Sequence, residues 1–443
     1  MPDEKTVIDQ LISNIEQFRF GDWAPDISHR ASLCLLDSLA CYSAGRSLNH
    51  FAPIAHVADQ LFNIAASQSD PSAFVMAYLY GSAANLLDYD DTLGSGHPGA
   101  AIVGAVLAVA AKRQLSIDQL LRGIAAGYQT EWLLGMASAP TAQRAALVRG
   151  VGAWDTVAAS VGISVALGVG DDILKNTLGL AVAHSVIPYT AKWYERPVPS
   201  LKNNLGWMGA GAVLASELAL KGKTGVTNAL EGDNGMWRMV GSDRFDLDPS
   251  LFERPAVLRV GFKAYPACWH LQAYLKAFDA LLKASDANDE VAEIVVRGPK
   301  DVEKFCNPNI QAPTDTAFSL PAAFSLLQSG IEPGPRWVEY GDDDAVFRHR
   351  DLFRFELSED RSVELRLRDG RHLRETTSTG DMRDLAPSGL SETALHEKYA
   401  RLTAPELQAA TTAALFDAPS NVATTARFYE AFRKSIASSV DVA

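Results

Sequence analysis

Residues 76–111 read MAYLYGSAANLLDYDDTLGSGHPGAAIVGAVLAVAA, and they join two apolar segments through a short charged loop. The loop carries three aspartates, Asp88, Asp90 and Asp91, together with the imidazole of His97. The flanking segments have helical character, and charges held between buried helices are unfavourable unless they are paired or employed. Because a short polar loop between helix ends can direct several side chains at one point, this stretch predicts a helical fold with a small-molecule site at the loop.

Helical patterning extends over most of the chain around this stretch. Apolar residues recur at helical spacing from about residue 5 to residue 245, beginning with Ile8, Leu11, Ile12 and Ile15. Alanine-rich segments such as AAIVGAVLAVAAKR and LGWMGAGAVLASELALKGKTG follow. Their density of small residues predicts helices packed closely, backbone against backbone.

The pattern changes near residue 258, where strands become recognisable. Residues 290–298, 353–357 and 362–377 have strand character, and Asp369-Gly370 is placed as a hairpin turn. Residues 312–330 and 392–416 return to helical patterning. We therefore predict a mainly α protein, with a large helical domain formed by residues 1–257 and 392–443 and a smaller α/β lid domain formed by residues 258–391.

Composition restricts the function classes. The 443 residues are 47% hydrophobic and 21% charged, as in a globular protein, and the net charge of −13 argues against nucleic acids and anionic membranes as partners. The polar start MPDEKTVIDQ and the shortness of the apolar runs favour a cytoplasmic location. Four scattered cysteines form no zinc pattern, and glycine-rich phosphate loops, GxSxG and HExxH are absent.

The acidic loop allows three interpretations from its residues alone. It can be a solvated turn that caps two helices, or a Mg²⁺ or Ca²⁺ site, although its spacing does not fit an EF-hand. In the third interpretation it is an organic active site, where Asp88 orients a base or the substrate, Thr92 donates a hydrogen bond and His97 moves a proton.

Three further residues are candidates for the same site. Lys202 precedes an apolar helix and is either a surface lysine or a cation that binds a carboxylate. His270, beside Trp269, is either a core histidine or a functional group at the boundary of the helical and mixed regions, where ligand sites are common. Lys263, in the same segment, is a second candidate cation.

Several colinear segments of the chain resemble the MmgE/PrpD family, whose members include 2-methylcitrate dehydratase, cis-aconitate decarboxylase and iminodisuccinate epimerase. They are SHRASLCLLDSLACYSAG, DYDDT followed by HPG, SLKNNLGWMGAG and KAYPACWHLQ, and the most specific is the DYDDT and HPG element. The resemblance implies a helical domain and an α/β lid, a homodimer, a site between the domains, and no metal or organic cofactor. It places Asp88, Thr92, His97, Lys202 and His270 on the family's active-site positions.

The chemistry implied by the resemblance is removal of a proton next to a carboxylate. Dehydration of a hydroxy acid is the leading reaction, with isomerisation or epimerisation second and decarboxylation third. His97 is assigned as general acid or base, Asp88 as the group that orients it, and His270 as its partner. Lys202 is assigned to bind a carboxylate or carbonyl group of the substrate. The remaining predicted substrate-binding residues are Thr92, Asp91, Lys263 and Trp154.

The sequence also departs from the family pattern. Residues 149–160, RGVGAWDTVAAS, contain no histidine where relatives commonly have one. Ala322 follows Pro321 where relatives have a tyrosine, and Asn85 and Leu93 stand where many have histidines. These losses leave open a changed substrate or reaction, or a binding protein without activity.

Overall fold

The computed structural model describes most of the chain at the level of side chains. The described residues are 6–64, 70–94, 96–150, 152–186, 189–190, 192, 195–199, 203–286, 289–340 and 343–438. Lys202 lies outside them.

Helices dominate the described residues, which confirms the prediction of a mainly α protein. They are α1 (Val7–Arg19), α2 (Pro25–Arg46), α3 (Ala52–Phe62), α4 (Ala73–Ala84), α5 (Gly104–Arg113), α6 (Ile117–Ala137), α7 (Ala142–Ala145), α8 (Asp155–Ala166), α9 (Asp171–His184), α10 (Leu205–Leu220), α11 (Met236–Met239), α12 (Trp269–Ala284), α13 (Leu320–Gln328), α14 (Asp344–Phe347), α15 (Glu392–Leu402), α16 (Pro405–Thr412) and α17 (Val422–Ala437). A π-helical turn, Gly99–Val103, leads into α5.

Small residues let the central helices approach one another closely, as their density predicted. A Cβ atom on Gly81 of α4 would lie 2.8 Å from the Cα of Gly206 in α10. A Cβ atom on Gly123 of α6 would lie 2.6 Å from the carbonyl oxygen of Gly162 in α8. Real side chains do not fit at such separations, so these glycines set the spacing of the helices that surround the acidic loop.

The strands form one four-stranded sheet and one short ladder. The sheet has the order β4–β3–β5–β6, where β3 is Val291–Gly298, β4 is Phe353–Leu357, β5 is Ser362–Leu367 and β6 is His372–Thr376. β3 pairs parallel with β4 and antiparallel with β5, and β5 pairs antiparallel with β6. All four strands were predicted, and Gly370, with φ at +90°, makes the predicted hairpin turn. The ladder β1 (Val148–Arg149) with β2 (Tyr189–Thr190) was not predicted.

Two predicted helical stretches are interrupted, in both cases at a proline. Residues 312–330 contain a 3₁₀ segment, Pro313–Phe318, and then α13, which begins with Pro321 in its first turn and Ser319 as its cap. In residues 392–416, α15 ends before Ala404, whose extended backbone precedes Pro405. A residue before proline is disfavoured in the α region, so the two helices cannot be continuous.

The apolar side chains pack into two clusters. The larger cluster combines helices from residues 7–262 with Leu395, Tyr399, Phe428 and Phe432 near the end of the chain. The smaller one lies mainly within residues 265–367 and includes α12, α13 and the sheet. The division into two domains at residues 257/258 and 391/392 stays a prediction, as does the role of residues 258–391 as a lid. Among the described residues, no helix is both long and apolar enough to cross a membrane.

Candidate active site

Asp88 is fixed in the acidic loop by the ammonium group of Lys263, which lies after the helical residues 5–245 in the sequence. Its backbone has a positive φ of 51°, a strained conformation for a residue other than glycine. The Nζ atom of Lys263 donates to its Oδ1 and to its carbonyl oxygen, both at 2.8 Å. Burial lowers the pKa of Lys263, but attraction to Asp88 and Asp90 outweighs burial and leaves that pKa raised. The Lys263 side chain is fully buried, so its predicted contact with substrate would require it to leave Asp88.

His97 lies between two carboxylates. Its Nε2 is 3.5 Å from Oδ1 of Asp88, and its Nδ1 is 3.3 Å from Oδ2 of Asp90. Asn85 holds Asp90 by donating from Nδ2 to both carboxylate oxygens at 3.0 Å, and Asn203 donates to Oδ1 of Asn85 at 2.8 Å. A proton taken up by His97 is therefore attracted by both flanking carboxylates, whose own positions are fixed by further hydrogen bonds.

Asp91 and Thr92 occupy different environments in the same loop. The backbone N–H of Gly99 and the hydroxyl of Tyr128 donate to Asp91, at 2.9 and 2.7 Å. Burial, followed by repulsion from Asp37, raises the pKa of Asp91 to about 8. Thr92 exchanges both backbone hydrogen bonds with Gly261, and its buried Oγ1 has no partner among the described residues. Thr92 thus keeps a hydroxyl available for a ligand, whereas Asp91 already accepts bonds from the protein.

A second buried ammonium group was not identified as a site residue from the sequence. Lys398 of α15 donates to Oδ1 of Asp37 at 2.7 Å, to the carbonyl oxygen of Tyr89 at 2.8 Å and to that of Lys263 at 3.2 Å. It also lies 3.7 Å from the centre of the Tyr89 ring. Lys398 therefore joins α2, the acidic loop and the segment that carries Lys263. The available signal was Asp37 itself, a charged residue within the apolar run LCLLDSLAC.

A cavity of about 400 Å³ lies beside the loop. The loop contributes Leu93, Gly94 and Gly96 to the wall of this cavity, and Lys304 comes from residues 265–367, which contain the smaller apolar cluster. Trp154, a predicted substrate-binding residue, also lines it, and its indole Nε1 donates to Oγ of Ser138 at 2.7 Å.

Two carboxyl groups in this wall were not predicted as site residues. Glu131 lies on α6 and Asp155 is the first residue of α8, and both are buried. Burial, followed by repulsion from Asp155, raises the pKa of Glu131 well above its usual value. Burial is also the main reason that the pKa of Asp155 rises to about 7. A glutamate within the apolar helix GYQTEWLLG was the sequence signal for the first of them.

His270 is the second residue of α12, in the part of the chain that contains the four-stranded sheet. Its ring stacks on Phe305 at a centroid distance of 6.0 Å. Burial lowers its pKa, Lys304 lowers it further, and Asp301 and Asp88 act in the opposite direction. His270 is thus within electrostatic reach of Asp88, although it is not among the described residues that line the cavity.

The loop also contains the atoms of a possible metal site. One ligand atom each from Asp88, Asp90 and His97 lies within 4.8 Å of the others. However, the hydrogen bonds from Lys263 to Asp88 and from Asn85 to Asp90 compete with a cation for these carboxylates. The arrangement suits proton transfer by a held imidazole better than coordination of a metal ion.

Comparison with known proteins is consistent with this geometry. The sequence pattern of the MmgE/PrpD N-terminal domain matches residues 9–248, which include the acidic loop, Glu131 and Asp155. No curated protein matches the chain. The match extends over more than half of the sequence, and the chain therefore belongs to the MmgE/PrpD family.

Proposed function

We propose that this protein is a cofactor-independent lyase that removes a proton next to a substrate carboxylate. The leading reaction is dehydration of a hydroxy acid, as in the 2-methylcitrate dehydratase type of the family. The single observation that carries the proposal is the imidazole of His97, held between Asp88 and Asp90 in a loop whose residues Leu93, Gly94 and Gly96 line a cavity of about 400 Å³.

In this mechanism His97 takes the α-proton, and the electron pair of the broken C–H bond forms a C=C bond as the β C–O bond breaks. Hydroxide leaves and takes a proton from an acid, a role we assign to His270, so that water is released. Asp88 keeps His97 oriented, while Lys263 keeps Asp88 in place. The negative charge that develops on the substrate carboxylate needs a cation, and we assign this role to Lys202, whose neighbour Asn203 bonds to Asn85.

The same residues serve the alternative reactions. Return of the proton to the opposite face of the carbon gives epimerisation. In decarboxylation, CO₂ leaves without the electron pair of the broken C–C bond, and a protonated His97 then donates a proton to the carbon skeleton that keeps this pair. The lack of an imidazole in residues 149–160 and of a tyrosine at Ala322, which is buried in the smaller cluster, favours a reaction that needs fewer acid–base groups. A non-catalytic binding protein is the alternative from another class.

Incubation in D₂O separates these possibilities. The purified protein is mixed with hydroxy-dicarboxylates and hydroxy-tricarboxylates, and NMR follows both deuterium in the substrate and the appearance of unsaturated product. Deuterium incorporation supports proton abstraction, and unsaturated product supports dehydration. If neither appears with any substrate, the lyase proposal fails and the binding alternative gains support.

Two histidine variants test the assignment of the base. We expect His97→Gln to lower the exchange rate by about 10²–10⁴-fold, the usual contribution of a positioned acid or base. His56→Gln is the matched control, because His56 is exposed on α3 and contacts Gln60 on the same helix. Equal loss in both variants, or full activity in His97→Gln, would contradict the role of His97.

A further inference from the structure

Glu131 and Asp155 are two buried carboxyl groups in the cavity wall that the mechanism above does not use. Glu131 is 6% exposed and Asp155 is 1% exposed. One buried oxygen of each, Oε2 of Glu131 and Oδ1 of Asp155, has no hydrogen-bond partner among the described residues. Buried polar atoms are rarely left unpaired, so these two acceptors indicate a donor beyond the described residues, a role that a bound ligand can fill.

Among the described residues, no basic side chain forms an ion pair with Glu131 or Asp155. Asp37 is paired with Lys398 and Asp88 with Lys263, each through a buried ammonium group. The pKa of Glu131 is instead raised by burial and by three other carboxylates, and that of Asp155 by burial and by Asp90. Within the described chain, no basic side chain lowers either of these pKa values. A bound cation would relieve this repulsion, which a neutral ligand cannot do.

The rest of the cavity wall suits a ligand that carries one positively and one negatively charged group. Trp154 lines the same cavity, and indole rings attract cations. The ring of Trp132, also in the wall, already has the guanidinium of Arg259 at 4.9 Å from its centre. Lys304 is the one basic residue among the described lining residues, and a carboxylate is the group it would bind. The wall thus offers acidic, aromatic and basic groups within one cavity.

The carboxyl of Glu131 also lies against the loop that carries the base. A Cβ atom on Gly96 would lie only 1.8 Å from Oε1 of Glu131, and Gly96 directly precedes His97. A group bound by Glu131 is therefore close to the segment from which His97 acts.

We propose that Glu131 and Asp155 bind the ammonium group of an amino-carboxylate substrate. An ammonium group has three N–H donors, enough for both unpartnered oxygens, and its charge matches the uncompensated acidic wall. This inference rests on the proposed function, because it names the substrate class on which His97 acts. It adds an amino nitrogen, near the carbon that loses its proton, to the carboxylate-bearing substrate proposed above.

Aspartate and malate are suitable probes, because they differ only in an ammonium group in place of a hydroxyl. Calorimetric titration at pH 8, in two buffers with different ionisation enthalpies, gives both the affinity and the number of protons exchanged. We expect aspartate to bind at least tenfold more tightly than malate, about 1.4 kcal/mol, and to release protons from the carboxyl pair. Glu131→Gln and Asp155→Asn should each remove most of this preference, whereas Glu406→Gln, an exposed change on α16, should keep it.

The titrations either support or overturn the binding of an ammonium group by Glu131 and Asp155. Equal or tighter binding of malate, a preference that survives both variants, or no binding of aspartate would overturn the proposal. Anion binding with proton uptake would instead assign the pair as neutral hydrogen-bond donors to a carboxylate. The two conservative variants are independent, so a folding failure of one leaves the other as a test. Deuterium exchange at His97 is measured separately, so its failure can be distinguished from a failure of ammonium binding.

Discussion

The ion pair of Lys398 with Asp37 provides the sharpest test of how the acidic loop is held. Replacing Lys398 by methionine keeps the apolar stem of the side chain and removes its charge. The pair is almost fully buried, with 2% of the Lys398 side chain and 0% of the Asp37 side chain exposed. Burial lowers the pKa of Lys398, but attraction to Asp37 outweighs it, so this pKa is raised and the ammonium group stays charged.

The separation sets the size of the effect. At the observed 2.7 Å, two unit charges in a medium of effective dielectric constant about 20 attract each other by about 6 kcal/mol. Breaking a buried pair by removing one partner usually destabilises a protein by about 3–5 kcal/mol. The orphaned Asp37 can escape its charge by binding a proton, which costs about 4 kcal/mol at pH 7 for a group with an unfolded pKa near 3.9. We therefore expect Lys398→Met to lower the free energy of unfolding by about 3–4 kcal/mol at pH 7.

The pH dependence identifies the cause. Burial already raises the pKa of Asp37 in the native protein, against the attraction of Lys398, and in the variant this pKa rises further because that attraction is gone. The folded state then binds more protons than the unfolded state, so the variant loses stability as the pH rises above about 4. At pH 5 the same proton costs only about 1.5 kcal/mol, and the deficit should shrink accordingly.

Urea unfolding followed by tryptophan fluorescence, at pH 5 and pH 7, measures both effects. The double variant with Asp37→Asn and Lys398→Met should be more stable at pH 7 than Lys398→Met alone, since no buried charge is left unpaired. Lys112→Met is the control, because Lys112 pairs with Asp70 at 2.9 Å on the surface and should change stability by less than about 1 kcal/mol. A loss below about 1 kcal/mol for Lys398→Met, or an equal loss at both pH values, would refute the reasoning.

Three further changes test neighbouring features. Thr92→Val should lower kcat/KM by about tenfold to a hundredfold without loss of stability, since the buried Oγ1 of Thr92 has no partner among the described residues. Thr92→Ser, which keeps the hydroxyl, should keep the activity, and steady-state kinetics measures both variants. Gly96→Ala should displace Glu131 and lower the thermal midpoint and the activity, while Gly170→Ala, which has open space around its Cβ and lies outside the cavity wall, should leave the activity unchanged. The pKa of Asp155 is raised to about 7, so between pH 4 and pH 7 the folded state holds a proton that the unfolded state has lost. The free energy of unfolding should therefore fall by up to about 1.4 kcal/mol per pH unit over this range. Urea unfolding of Asp155→Asn should show a weaker pH dependence of stability.

The fold was predictable where local patterning and tertiary packing agree. The strands at residues 291–298 and 362–376 have β-branched and alternating residues with a glycine turn, and they form as predicted. The ladder of Val148–Arg149 with Tyr189–Thr190 was not predicted, because two-residue strands are too short to show alternation. Proline positions were visible in the sequence, but the breaks at Pro321 and Pro405 fall inside otherwise helical patterns.

The site was predictable to the extent that its residues are neighbours in sequence. Asp88, Asp90 and His97 come together because one loop carries them. The partners that hold them come from distant segments, and periodicity gives no information on which buried lysine meets which aspartate. Lys263 was predicted as a cation, yet its ammonium group bonds to Asp88, and Lys398 was not selected. Glu131 was missed because a single charge on an apolar helix is usually a residue on its exposed edge.

The charges that fix the acidic loop lie in segments far from it along the chain. The family match at residues 9–248 includes Asp37 and the loop aspartates, but the ammonium groups that neutralise Asp88 and Asp37 lie at residues 263 and 398, beyond its end. Buried carboxylates without these partners would each need to bind a proton or return to water. A fragment that ends near residue 248 would therefore contain the catalytic histidine we propose without the charges that fix Asp88 beside it. The held imidazole is a property of the whole chain, assembled only when the segments around Lys263 and Lys398 pack against the helices of residues 9–248.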